Sequence, residues 1–145
     1  MERLQFIWQH VMLKLLAAYK GYTEIVKILA PLSNNPIVSD KEGKSPIYWA
    51  ACQGHTEIVK ILAHLTDNPN APDEYGRTPI HEAVLRRHPE IVKILAPLTD
   101  NPNAPDNNGE TPYEVARNAG NAEIGRILSA TRKRKAEPST KPSKK

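Results

Sequence analysis

One cysteine in 145 residues, Cys52, permits no intramolecular disulfide and no cysteine-rich metal cage. Such usage fits a chain that works inside the cell, in a reducing compartment. No run approaches the roughly 18 apolar residues needed to span a bilayer, so no membrane partner is expected. The first residues, MERLQFIWQHVMLKLLAA, have the look of a signal peptide, but Gln9, His10 and Lys14 interrupt any apolar segment. Also missing are a glycine-rich phosphate loop, a Ser/His/Asp arrangement, a paired acid and base, and the D-x-D-x-D-G spacing of a calcium loop. With no residues to carry catalysis, no cofactor is implied and a non-enzymatic protein is expected.

The basic surplus is local. The formal net charge is +4, yet the last fifteen residues, TRKRKAEPSTKPSKK, hold seven Lys/Arg and one Glu. Residues 1–130 are therefore slightly acidic, and no nucleic-acid face is implied for the body.

Proline, by contrast, is plentiful, with thirteen in the chain, and most fall in phase. LTDNPNAPD occurs at 65–73 and again, unchanged, at 98–106. EIVKILA occurs at 24–30, 57–63 and 90–96, each copy 33 residues after the last. The longer segments starting at Gly43, Gly76 and Gly109 share that phase, and a degenerate one starts near His10. A repeat of this length points to a structure built by stacking one small unit on the next.

Each unit reads as two short helices and a turn. Ser45-Pro46, Thr78-Pro79 and Thr111-Pro112 put a capping hydroxyl before a proline suited to the first helical position. Small residues in that helix (Ala50, Ala51, Ala83, Ala116) allow close neighbours. Gly54, with Gly21 and Gly120 in phase, lets the chain turn through positive φ before the second helix. Ile58, Val59, Ile61, Leu62 and Leu65 give that second helix an apolar face broad enough to be sandwiched on both sides. The nine-residue connector cannot be helical; it extends and reverses at Asp73-Glu74-Tyr75-Gly76. No single unit can bury its apolar face alone, so neighbours must cover it.

Gly76-Arg77-Thr78-Pro79-Ile80-His81-Glu82-Ala83, together with Gly54-His55-Thr56-Glu57-Ile58-Val59, resembles the ankyrin repeats and their G-x-T-P-L-H-x-A pattern. The resemblance covers about residues 12–130. It implies an all-α solenoid of stacked helix-turn-helix units with projecting β-hairpin loops. The repeat domain is placed at 1–130, with units at about 10–42, 43–75, 76–108 and 109–130. Residues 1–9 form an N-terminal extension and 131–145 a disordered basic tail.

Departures from the pattern matter too. Arg87 stands where glycine is expected, at a left-handed position costing on the order of 1 kcal/mol. Pro31 and Pro97 should end their helices early. Gly125 replaces the valine of the other units, as suits a terminal unit. The first unit lacks its hairpin and begins with Leu4, Phe6, Ile7 and Trp8. It reads as a degenerate cap, the alternative being a chain that begins inside a longer array. If uncapped, it would tend to self-associate.

Repetition also disposes of chemical candidates. His55 and His88 are in register, but stacked helix pairs keep such positions about 8–10 Å apart, too far to share a zinc ion. His81 resembles the family histidine that braces the loop. Cys52 reads as a packing residue, without an acid to orient His55 beside it. Glu57, Glu90 and Glu123 recur at helix starts, where a carboxylate suits the helix dipole.

The informative residues are those that break the repeat. In this family the resemblance implies partner recognition by the hairpin tips and the exposed side of the first helices. Those positions are Lys41, Glu42, Lys44, Trp49 and Gln53 in the second unit. In the third they are Glu74, Tyr75, Arg77, Glu82 and Arg86, and in the fourth Asn107, Asn108, Glu110 and Asn118. Cys52, Leu85, Val115 and Ala119 lie among them. Trp, Tyr and Arg dominate interface energetics, although any one aromatic here has the alternative of merely covering the neighbouring hairpin. The expected function is an adaptor binding a protein partner of unspecified identity. Arg132, Lys133, Arg134 and Lys135 resemble a nuclear import signal, to be read by an import receptor. Loose binding of nucleic acid through this tail, phosphorylation at Ser139 and Ser143, and a role as one arm of a larger receptor or ligase adaptor remain alternatives. Nuclear or cytoplasmic residence follows.

Overall fold

The computed structural model describes residues 2–32 and 38–136; the side chains of 4–8 and 136 lie outside that description. The expectation for Leu4, Phe6, Ile7 and Trp8 therefore falls outside the described side chains, as does that for Ser139 and Ser143. Helices come in pairs: α1 (Glu2–Lys20) with α2 (Thr23–Leu29), and α3 (Pro46–Gln53) with α4 (Thr56–Leu65). They are followed by α5 (Pro79–Leu85) with α6 (Pro89–Leu95), and α7 (Pro112–Asn118) with α8 (Ala122–Ala136).

Two rows of helices result. The first helices pack α1 on α3, α3 on α5 and α5 on α7, and the second helices pack α2 on α4, α4 on α6 and α6 on α8. Four units thus lie in file, and the core is a seam between rows rather than a centre. Ala50, Ala51, Ala83 and Ala116 are fully buried, so the first helices approach closely. Ile58, Ile91 and Ile124 are likewise fully covered. Each contributes about 1.5–3 kcal/mol by leaving water.

Local chemistry sets the helix ends. Ser45, Thr78 and Thr111 each accept from the third helical amide, at 3.2 Å, 3.3 Å and 3.2 Å, and proline follows each cap. The repeated asparagines explain LTDNPNAPD. Asn68 Oδ1 accepts from the Asn70 amide at 3.3 Å, tightening the connector. Asn70 Oδ1 then accepts from the Ile80 amide at 3.1 Å, tying the connector to the start of α5. Asn101 and Asn103 repeat both bonds, the second to Tyr113 at 2.8 Å. As Pro31 and Pro97 foretold, Ala30–Leu32 and Ala96–Leu98 tighten into 3-10 turns.

Arg87 has φ 62°, the left-handed conformation its register demands. Its guanidinium donates to the carbonyl of Ala119 in the next unit at 3.1 Å.

Two expectations need correction. The loops form no β-strands among the described residues. In each, an aspartate carboxylate takes the amide that a ladder would use: Asp73 Oδ1 accepts from the Arg77 amide at 2.9 Å. The basic segment is helical as far as Ala136, not unstructured from 131. Proline or the Thr-Asp-Asn-Pro sequence stops the other second helices, whereas nothing between Ala122 and Ala136 does so. Alanine, arginine and lysine favour helix, and cations suit its C-terminal end.

Candidate functional site

Each tip is a tight turn held by one aspartate. Asp40 Oδ1 accepts from the amides of Glu42 and Lys44 at 3.0 and 2.9 Å. Asp73 does so for Tyr75 and Arg77, both at 2.9 Å, and Asp106 for Asn108 and Glu110 at 2.9 and 3.0 Å. Gly43, Gly76 and Gly109 complete the turns with φ of 80°, 74° and 82°. The tips are also joined to one another. The Glu74 amide donates to the Glu42 carbonyl at 2.9 Å, and the Asn107 amide to the Tyr75 carbonyl at 3.0 Å. Asn107 Nδ2 adds a bond to the Glu74 carbonyl at 3.0 Å. Three tips therefore make one continuous edge.

On that edge Lys41, Glu42, Glu74, Tyr75, Asn107 and Asn108 are exposed, while Lys44, Arg77 and Glu110 are half-buried. Gln53, Leu85, Arg86 and Asn118 are exposed at the ends of the first helices.

Glu82 does not belong with them. It is only 7% exposed, accepts from the Tyr48 hydroxyl at 3.0 Å and lies 3.8 Å from the Arg77 guanidinium. Burial first, and then Glu82, push the Tyr48 phenol far up. Position 82 faces the neighbouring unit's Tyr48 across 34 residues of sequence, a contact that register alone does not reveal. Arg77 also reaches Asp106, with 3.7 Å between Nε and Oδ2. Although burial opposes it, the amides of Glu110 and Asn108 hold the Asp106 carboxyl below its usual range. Arg77 is thus an inter-unit bridge as much as a surface cation.

Trp49 is half-buried and braced. Its Nε1 donates to Asp40 Oδ2 at 3.0 Å, and its ring meets Tyr19 and Tyr48 edge-on at 5.5 and 6.1 Å. Lys44 Nζ sits 5.3 Å above the ring and pairs with Glu42. Here the covering role prevails. The signal missed in the sequence was Asp40, Asp73 and Asp106, spaced evenly at 33 residues and common to all three tips. Asp73 Oδ2 is buried and makes no hydrogen bond.

The chemical candidates fall into structural places. His81 Nδ1 accepts from the Thr78 amide at 3.1 Å, and Nε2 donates to the Glu110 carbonyl at 3.1 Å. Burial holds its pKa below the ordinary value. The His55 ring lies over Gly21 and the His88 ring over Gly54. Cys52 is buried, and that burial pushes its thiol up, away from the reactive thiolate. Among the described residues no group of three or more His, Cys, Asp or Glu could hold a metal ion. No described helix is long and apolar enough to cross a membrane.

Arg132, Lys133, Arg134 and Lys135 are exposed on the last turns of α8. Lys135 reaches the carbonyl of Thr99 in the third unit's connector.

Comparison with known proteins agrees with this geometry. A family model described as ankyrin repeats (3 copies) matches residues 13–73 and 65–141. No curated protein sequence matches the chain. Among solved structures, a similar one is an ankyrin repeat domain from Acinetobacter baumannii, with 28% identity and a TM-score of 0.75. The match covers 81% of this chain and 63% of that one, so this chain spans less than two thirds of its neighbour's length. With two helices per unit, units in file and both motifs in register, the chain belongs to the ankyrin-repeat family.

Proposed function

We propose that this protein is a non-enzymatic adaptor that captures one protein partner on its tip edge and the exposed ends of its first helices. The hydrogen-bonded edge from Glu42 through Tyr75 to Asn107 carries this reading. It is a rigid rail whose backbone repeats while its side chains do not: Lys41 and Glu42, then Glu74 and Tyr75, then Asn107 and Asn108. A preformed rail loses little entropy on binding, so variable side chains decide the target. Tyr75 and Arg86 are exposed and of suitable types for anchors, whereas Glu82 and Arg77 serve the scaffold.

Affinity capture from native cells tests this, comparing the original chain with Tyr75→Ala/Arg86→Ala. Recovery of the partner should fall about tenfold or more at unchanged melting temperature. Equal recovery by both proteins rejects this face.

A second reading places the protein in the nucleus, with its basic end bound to an import receptor or a polyanion. Four successive exposed cations at 132–135 favour it. Replacing all four with glutamine should abolish nuclear accumulation of a fluorescent fusion; unchanged distribution rejects it.

A further inference from the structure

The two ends of the stack are unlike each other, and unlike its interior. At every internal junction the isoleucine of the second helix faces the preceding unit and is fully covered, as at Ile58, Ile91 and Ile124. Its counterpart in the first unit, Ile25, is 38% exposed, and Leu13, Leu16 and Ile28 are exposed beside it. The opposite end presents a groove of about 550 Å³ whose lining includes Tyr113, Gly120, Gly125 and Arg126. Gly125 stands where Val26, Val59 and Val92 are buried against the next unit.

Register shows what would fit there. The rings of His55 and His88 cover the turn glycines Gly21 and Gly54 of the preceding unit, but nothing lies within 4 Å of a Cβ placed on Gly120. Tyr22 occupies the histidine position in the first unit and is exposed. Along the second helices a lysine faces the next unit's glutamate: Lys93 lies 3.9 Å from Glu123. Lys27 is within electrostatic reach of Glu57, and Lys60 of Glu90. Arg126 holds the lysine position in the last unit and is exposed. Glu24 holds the glutamate position at the first unit, and its side chain is 81% exposed.

We propose that a second copy of this chain docks its α1–α2 end into the α7–α8 groove, head to tail, as the next unit of the same stack. Tyr22 then covers Gly120, Ile25 enters beside Gly125, and Glu24 pairs with Arg126. The exposed apolar face of Leu13, Leu16, Ile25 and Ile28 supplies the driving force and the ion pair fixes register. Because the two surfaces differ, the contact is heterologous and each added copy leaves a fresh groove.

Sedimentation velocity on the full chain over a wide concentration range tests this. The average mass should rise with concentration and pass that of a dimer. Ile25→Arg blocks one end. Gly125→Arg blocks the other, and its Cβ has room, with the nearest atom, Tyr113 Cε2, at 4.0 Å. Each variant alone should need about tenfold or more protein to associate. Mixed, the two should form a one-to-one complex and nothing larger, because one intact groove meets one intact apolar end. A milder pair, Glu24→Lys and Arg126→Glu, alters only exposed charges and should show the same loss apart and recovery together. A monomer at all concentrations overturns the proposal. So does association abolished by Ile25→Arg but indifferent to Gly125→Arg, the result expected if two α1–α2 ends pair with each other.

Discussion

His81 Nε2 donates to the carbonyl of Glu110, 3.1 Å away in the next unit, while its Nδ1 accepts from Thr78. One imidazole thus caps its own helix and holds the following tip. Both bonds require the neutral ring with its proton on Nε2.

That requirement makes stability depend on pH. Burial keeps the folded pKa below the ordinary 6.5, so below about that pH the unfolded chain binds more protons than the folded one. Stability is full above this value and falls as pH drops towards the folded pKa. Urea denaturation between neutral pH and about pH 5 should show the decline, and His81→Gln should flatten it. A decline of equal slope in the variant would assign the effect elsewhere.

Asn70 reaches across the connector to the Ile80 amide at 3.1 Å and is buried, whereas Asn103 makes the same bond to Tyr113 at a more open site. Asn70→Ala should therefore cost about 1–2 kcal/mol, and Asn103→Ala less. Chemical denaturation of the two variants side by side checks the order.

The turn glycines differ in what lies above them. A Cβ on Gly54 would meet His88 Cε1 at 2.7 Å, but one on Gly120 would meet nothing within 4 Å, and both have positive φ, 79° and 67°. Gly120→Ala should cost about 1 kcal/mol of backbone strain, and Gly54→Ala clearly more. Arg87→Gly should gain up to about 1 kcal/mol, reduced by loss of the bond to Ala119. Thermal melts of the three proteins test the order.

Asp73 Oδ2 lacks the hydrogen bond that Trp49 gives Asp40 and the guanidinium that faces Asp106. Lys44 holds the register of Arg77 but turns to Glu42. Lys44→Arg should extend a planar fork to Asp73 and stabilise the fold by about 1 kcal/mol. An unchanged or lower melting temperature would refute that geometry.

Much of this was legible in the residues themselves, because it is local. Caps at Ser45, Thr78 and Thr111, the strained Arg87 and the prolines that tighten two helices each depend on a few neighbours in sequence. Glu82 shows the limit. Its register marks it as variable and hence a surface candidate, yet it is buried against Tyr48, which lies in a different unit.

By itself, then, the sequence determined the unit, its period and the need to stack, since a 33-residue pair of helices exposes more apolar surface than it can hide. Tertiary structure alone decided which variable positions remain outside and how the tips join through Glu42, Tyr75 and Asn107. It also decided that the two ends of the stack differ. Those properties arise between units, where burial and hydrogen bonding depend on a neighbour's placement and not on spacing along one chain.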